Sequence, residues 1–258
     1  MTGASAGIGT EIARELAGRG HNVVLVARRK DRLEALAGEL RTTHGVRAET
    51  ISCDLGRPAA RARIPGRLEA LGLTVEILIN NAGFATHGPF VEADAERELE
   101  QVRVLVEAVV SLTSAFAPEM AQRRRGAILN VASTAAMQPL PYSAGYSAAK
   151  AYVLTFSEAL HHELKGRGVA VTALCPGPVS TDFWEISGWE VTGHSFEKAV
   201  PGPAWISPQH AARSGLSGLA AGRRVVVPSL PVRAAMRAGR YVPNGLKLPT
   251  IERVMRPR

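Results

Sequence analysis

Tyr146 and Lys150, four residues apart, are the pair in this sequence best suited to proton chemistry. On a helix that spacing puts both side chains on one face. A free phenol titrates near pH 10, too high to exchange protons well at neutrality. A neighbouring ammonium favours the phenolate, and a lowering of ~3 pKa units corresponds to roughly 4 kcal/mol. Ser133 follows the apolar run Ala127–Val131, which reads as a strand. It stands at a carboxyl edge, where ligands bind in open α/β sheets. A lone Tyr-x3-Lys is most often a solvated helix face, so the pair needs support from elsewhere in the chain.

A second constellation opens the sequence. Thr2-Gly3-Ala4-Ser5-Ala6-Gly7-Ile8-Gly9 runs into the amphipathic segment Glu11–Ala17. Glycines at this spacing let backbone approach a pyrophosphate, which then meets the positive end of a helix. Alone, such a turn is a weak signal. Downstream, the run Asn22–Ala27 ends in Arg28-Arg29-Lys30, with no acid before Asp31. An acid there would bind the adenosine ribose hydroxyls of NAD, whereas arginine forks onto the 2′-phosphate of NADP. Charge-assisted bonds of this kind contribute roughly 1.5–3 kcal/mol each. Arg28 is the first candidate reader, with NADP the expected coenzyme and NAD the alternative.

The elements that must hold these residues follow from periodicity. Strands are expected at Asn22–Ala27, Val46–Ile51, Val75–Ile79, Ala127–Val131, Val169–Leu174 and Arg224–Val227. They are continuous apolar runs, as in sheets covered on both faces. Helical stretches fall between them, near 9–18, 31–42, 57–71, 94–122, 144–166 and 208–221. The last opens with Ser207-Pro208, a cap followed by proline in the first turn. This alternation predicts an α/β fold with a Rossmann-type doubly wound parallel sheet in a single domain. One strand is missing from the pattern: only Met1 and Thr2 precede Gly3, where the central strand of a dinucleotide fold belongs. The expectation is that the natural start lies upstream.

In combination these segments resemble the short-chain dehydrogenase/reductase family, and the likeness covers nearly the whole chain. It is carried by Thr2-Gly3-x3-Gly7-Ile8-Gly9, Asp54-Leu55, Asn80-Asn81-Ala82-Gly83, Ser133, Tyr146-x3-Lys150 and Pro176-Gly177-x3-Thr181. The resemblance implies an NADP(H)-dependent oxidoreductase moving a hydride between nicotinamide and a carbonyl or alcohol. Ser133, Tyr146 and Lys150 would carry the chemistry: Tyr146 would exchange the proton, Lys150 would hold the nicotinamide ribose, Ser133 would hold the substrate oxygen, and Tyr146 as well as Lys150 would contact the cofactor. Gly3, Ser5, Gly7, Ile8 and Gly9 would cradle the cofactor. Asp54, with Leu55 beside it, would meet adenine, while Asn81, Ala82 and Gly83 line the cofactor and Pro176, Gly177 and Thr181 face the nicotinamide. Asn80 is expected to tie neighbouring strands together. A homo-oligomer is also implied.

The chain departs from the family at one position. Many members carry an asparagine in the long helix, where it organises water for a proton relay through the lysine. Counting back from Pro118 gives Leu105, which has no donor or acceptor. That substitution, with the absent strand, favours the rival reading of a catalytically weak or inactive dinucleotide-binding protein. A different Rossmann enzyme such as a methyltransferase would share only the glycine turn, and Tyr146-x3-Lys150 speaks against it.

Composition sets the remaining bounds. A chain of 258 residues, 46% hydrophobic and 21% charged, suits one globular α/β domain. No apolar run approaches the roughly 18 residues that span a bilayer, and no signal peptide is visible, so a cytoplasmic protein is expected. Cys53 and Cys175 lack metal-ligand spacing and read as buried reduced thiols; no metal is expected. His161-His162-Glu163 lacks zinc-protease spacing and reads as structural.

The net charge of +8 is carried by residues 223–258, which hold nine Lys+Arg against Glu252 alone, while residues 1–222 hold 22 of each sign. A neutral body argues against nucleic acid as partner. The expected division is a dinucleotide-binding unit, 1–228, and a basic tail, 229–258. The tail's Val232–Arg240 stretch could lie on an anionic membrane, but a solvated surface helix and frayed terminus is the commoner case and the preferred one. Within the first unit an aromatic lid is expected at 182–205, with Phe183, Trp184, Ile186, Trp189, Phe196 and Trp205. It suggests a lipophilic small-molecule substrate, or else rings that only pack the lid onto the protein.

Overall fold

Apolar runs without a polar face become strands only where both faces are covered, and the sheet strands show how. Neighbouring residues Ile128 and Leu129 point to opposite sides and join different core clusters. The structure, a computed structural model, describes residues 1–181, 183 and 202–256. Its strands are β1 (Val23–Ala27), β2 (Ala48–Ser52), β3 (Ile77–Asn80), β4 (Gly126–Val131), β5 (Val169–Leu174) and β6 (Val225–Val226). All pairings are parallel, in the orders β1-β2 and β3-β4-β5-β6.

The place of the missing central strand is held by two residues. Thr2 pairs in parallel with Val26 and donates its N–H to the Ile79 carbonyl at 2.9 Å. Val26 N–H in turn reaches the Met1 carbonyl at 2.9 Å. The two sheet halves are thus joined at their carboxyl ends, the edge that carries the glycine turn.

Helices α1 (Gly7–Gly18) and α2 (Lys30–His44) cover one face together with α8 (Pro208–Ala220). The other face is covered by α4 (Ile64–Ala70), α6 (Ala108–Gln122) and α7 (Ala144–Lys165). The expected helix 57–71 is broken into α3 (Pro58–Arg61) and α4. Pro65 explains this: it has no N–H to give the carbonyl four residues back. The Ser207 hydroxyl caps α8 by accepting from His210 N–H at 3.1 Å, as its position suggested.

The long helix is continuous from 95 to 122 but is not uniform: α5 (Ala95–Val102) passes through a π-turn, Arg103–Glu107, into α6. By length and composition it could cross a membrane, contrary to the expectation from apolar runs alone. Here Leu112, Phe116 and Met120 are buried against the sheet, so its apolar face serves the core.

Residues 229–256 are not a frayed terminus. They form α9 (Leu230–Gly239) and α10 (Asn244–Met255), with Val232 and Met255 buried.

Candidate active site

The carboxyl edge of the sheet is extended by loops into a cleft of about 670 Å³, within the range of cofactor and ligand pockets. At one end is the glycine turn. Gly3 has φ +67°, a conformation side chains disfavour. A Cβ on Gly9 would lie 2.1 Å from the Gly3 carbonyl oxygen and 2.5 Å from Asn81 Nδ2, so only glycine lets α1 approach this closely. Asn81 Nδ2 lies 3.2 Å from the carbonyls of both Thr2 and Gly3 and holds the turn against β3. Helix α1 begins at Gly7 with no side-chain cap and no acid in its first turn. Its free N–H groups face the cleft as an anion site.

Arg28 and Arg29 both line the cleft, at the end of β1. Arg28 is 3.3 Å from Glu100. Arg29 donates from Nε and Nη2 to the Ser5 hydroxyl, at 3.2 and 3.0 Å, and so lies on the glycine turn itself. Beside Arg28 the structure adds Arg29, whose only mark in the sequence is membership of the basic cluster. Asp54 and Leu55 lie beside them, with Asp54 Oδ1 accepting Gly56 N–H at 3.0 Å.

At the other end Ser133, Tyr146 and Lys150 converge. Ser133 caps a short 3₁₀ turn, its Oγ accepting Ala135 N–H at 3.1 Å. The Ser133 side chain also hydrogen-bonds that of Tyr146. Lys150 is buried and donates from Nζ to the Val131 carbonyl at 2.8 Å. Its Nζ is 5.7 Å from the Tyr146 ring centre. Burial pushes Lys150 down to about 8. Burial likewise pushes Tyr146 up to about 12, opposed by the hydrogen bond from Ser133. This corrects the expectation that the ammonium lowers the phenol's pKa. The two share a helix face, but Nζ is turned onto β4 and desolvation dominates.

Three further groups complete this end. Thr181 lies across from Gly7, where an added Cβ would meet its Cγ2 at 3.2 Å. Pro176 and Gly177 line the wall after β5. Phe183 packs against Tyr146 with ring centres 5.8 Å apart. Trp184, Ile186, Trp189 and Phe196 of the expected lid lie outside the described residues. Cys175, marked in sequence only as a buried thiol, sits behind the site. It is fully buried, and burial holds its thiol up at about 12. Asn80 lies away from the cleft: its Nδ2 donates to Asn130 Oδ1 at 2.9 Å, and Asn130 Nδ2 to Ser157 Oγ at 2.9 Å, tying β3, β4 and α7. His161 sits outside the site too, its Nδ1 2.8 Å from the Val171 carbonyl.

Leu105 sits within the π-turn and is 1% exposed. A Cβ on Gly83 would lie 2.6 Å from Leu105 Cδ2 and 3.8 Å from Lys150 Nζ, so the leucine fills the space beside the lysine. Leu105→Asn is therefore expected to cost about 2–4 kcal/mol, from lost packing and an unpaired amide. The midpoint of urea unfolding checks this; an unchanged midpoint would mean that a polar partner already waits there.

The tail supplies a wall that sequence reading did not anticipate. Val232, Met236, Ile251 and Met255 line the cleft, and Val232 lies 3.3 Å from where a Gly177 Cβ would stand. The signal was present as the spacing of apolar residues in 232–255, but nothing in it named the surface they would meet.

The family model for the short chain dehydrogenase matches residues 1–189. The chain belongs to this family. Among curated relatives of this short-chain dehydrogenase is very-long-chain 3-oxoacyl-CoA reductase of Anas platyrhynchos, 37% identical over 206 residues, covering 78% of this chain and 64% of the relative. The chain spans roughly three fifths of the length of the curated relatives it matches. A solved short-chain dehydrogenase from Sphingobium yanoikuyae, in complex with NADPH, is similar at 36% identity and TM-score 0.82, covering 98% of this chain and 94% of that one. The bulky-bulky ketone specific alcohol dehydrogenase from Comamonas testosteroni is similar at 30% identity and TM-score 0.76, covering 94% and 97%.

Proposed function

We propose that this short-chain dehydrogenase is an NADP(H)-dependent oxidoreductase acting on a lipophilic ketone or its alcohol. The observation that carries it is one cleft holding an uncapped glycine-rich helix start, two arginines and the Ser133–Tyr146–Lys150 group. The NADPH-bound relative and the named substrates of the acyl-CoA and bulky-ketone relatives support the same reading.

The residues fit the cofactor. The free N–H groups of α1 suit a pyrophosphate, Arg28 and Arg29 a 2′-phosphate, and Lys150 a ribose hydroxyl. When bound, NADPH supplies the hydride. Ser133 holds the carbonyl oxygen, and Tyr146 gives that oxygen its proton. With its pKa raised to about 12, Tyr146 is protonated throughout the neutral range and ready to act as an acid. The phenolate left by proton transfer stands in the same desolvated site, and the alcohol's oxidation begins from that form. Lys150, at about 8, holds its charge below that pH and loses it above. Ketone reduction should therefore fall as pH rises through about 8, as the charge that holds the ribose is lost; a flat profile from neutral to alkaline pH would mean that this charge plays no part in turnover.

Titration with NADPH and NADH, followed by ligand fluorescence, tests the cofactor. Arg28→Ala and Arg29→Ala should each weaken NADPH about 10- to 150-fold and leave NADH nearly unchanged. Equal losses for both coenzymes would place the arginines in structure, not in phosphate reading. For the substrate, a ladder of ketones of increasing apolar size should show kcat/KM rising with size.

A further inference from the structure

The helical hairpin α9–α10 has two faces of different chemistry. Along α9 the spacing of three and four residues puts Val232, Ala235 and Met236 on the cleft side. Leu230 and Arg237 fall on the other side, Arg240 and Tyr241 follow the helix end, and all four are exposed. At the hairpin tip, Tyr241 is 86% and Leu246 72% exposed. Of the ten exposed large hydrophobics among the described residues, five lie in this hairpin, too dense a set for scattered surface residues. The cations beside them lack acids. Among the described residues Arg237, Arg240 and Arg253 make no ion pair, and only Arg256 of the hairpin does, with Glu252 at 2.7 Å.

Apolar and aromatic side chains flanked by unpaired cations suit the boundary between lipid headgroups and acyl chains. We propose that the α9–α10 hairpin seats the protein on an anionic lipid surface, with Tyr241 and Leu246 in the interface and Arg237 and Arg240 on lipid phosphates. A second copy of the chain is the poorer occupant. Residues 1–222 carry no acidic surplus to receive the cations, and hairpin against hairpin brings like charges together. The inner face of the same hairpin walls the cleft, so a lipophilic substrate would pass from lipid to Tyr146 along α9. That last step rests on the proposed substrate class; the docking itself does not.

Flotation with phosphatidylcholine vesicles, with and without phosphatidylserine, tests the proposal. Binding is expected only to the phosphatidylserine vesicles, weakening as salt rises. Each cation near such a surface contributes about 1 kcal/mol, so Arg237→Gln with Arg240→Gln should bind about thirty-fold more weakly. Tyr241→Ser with Leu246→Ser should also lose binding, while the melting temperatures of both variants stay near that of the parent. Absence of flotation at low salt, or unchanged flotation of the arginine variant, would overturn the proposal. So would sedimentation showing a dimer that these substitutions break, since the hairpin would then be a subunit contact. Flotation needs no cofactor, so a failure to bind NADPH would count against the proposed function and leave the docking result standing.

Discussion

Tyr146→Phe is expected to lower kcat for ketone reduction by about 10²–10⁴-fold, the usual worth of a positioned proton donor. NADPH affinity should change little, because the ring remains in its place against Phe183 and only the hydroxyl goes. The physical basis is the isolation of that hydroxyl. Its hydrogen-bonding side chain is Ser133, and burial keeps the phenol protonated at any working pH. Stopped-flow single turnover with NADPH separates the two effects. A variant that retained most of its single-turnover rate would show that water or Ser133 supplies the proton, and the chemistry assigned to Tyr146 would be wrong. Equal loss of cofactor affinity and rate would instead mean that the hydroxyl organises the cleft.

Lys150→Met should stabilise the protein without cofactor while removing most of its activity. The ammonium is buried, and its pKa falls from 10.5 to about 8. The unfolded chain therefore holds the proton more tightly, and the folded state carries a penalty at neutral pH that fades as pH rises from about 8 to 10.5. The shift corresponds to on the order of 3 kcal/mol. Against this, the Val131 carbonyl would lose its 2.8 Å partner, at about 1 kcal/mol or somewhat more. The net gain should raise Tm by several degrees, at roughly 2–4 °C per kcal/mol for a protein of this size. Thermal melts at pH 7 and pH 10 check both size and sign: the difference between parent and variant should shrink at the higher pH. A variant less stable than its parent at pH 7 would mean that the lysine's packing and hydrogen bond outweigh its desolvation, and the pH dependence proposed for reduction would lose its basis.

Both experiments concern a site built under strain. Tyr146 has a raised and Lys150 a lowered pKa, and burial is the main cause in each. Active sites concentrate such groups because a proton must move between forms close in energy. Leu105 belongs to the same economy of space. By filling the gap beside Lys150 and Gly83 it keeps water from the lysine and deepens the desolvation that sets its pKa.

The alternation of apolar runs and amphipathic stretches was enough to place the parallel sheet. A strand covered on both faces must be largely apolar, and β4 and β5 are, their polar members Asn130 and Thr172 being buried with hydrogen-bond partners. The glycine spacing at 3, 7 and 9 marked the helix start that faces the cleft, because no side chain fits where Gly9 meets Gly3. The i, i+4 spacing likewise placed Tyr146 and Lys150 on one face of α7. What the sequence could not carry was distance through space. Whether Nζ turns toward the phenol or toward β4 depends on where the Val131 carbonyl lies, and that is decided by strand packing. The sheet's closure by Met1 and Thr2 depends in the same way on backbone hydrogen bonds from Val26 and to Ile79. The role of the last thirty residues was the least legible. Their periodicity announced helices with an apolar stripe, but a stripe records only that something is covered. Only the tertiary structure showed that the covered surface is the active-site cleft, and that the cations are left pointing away from it.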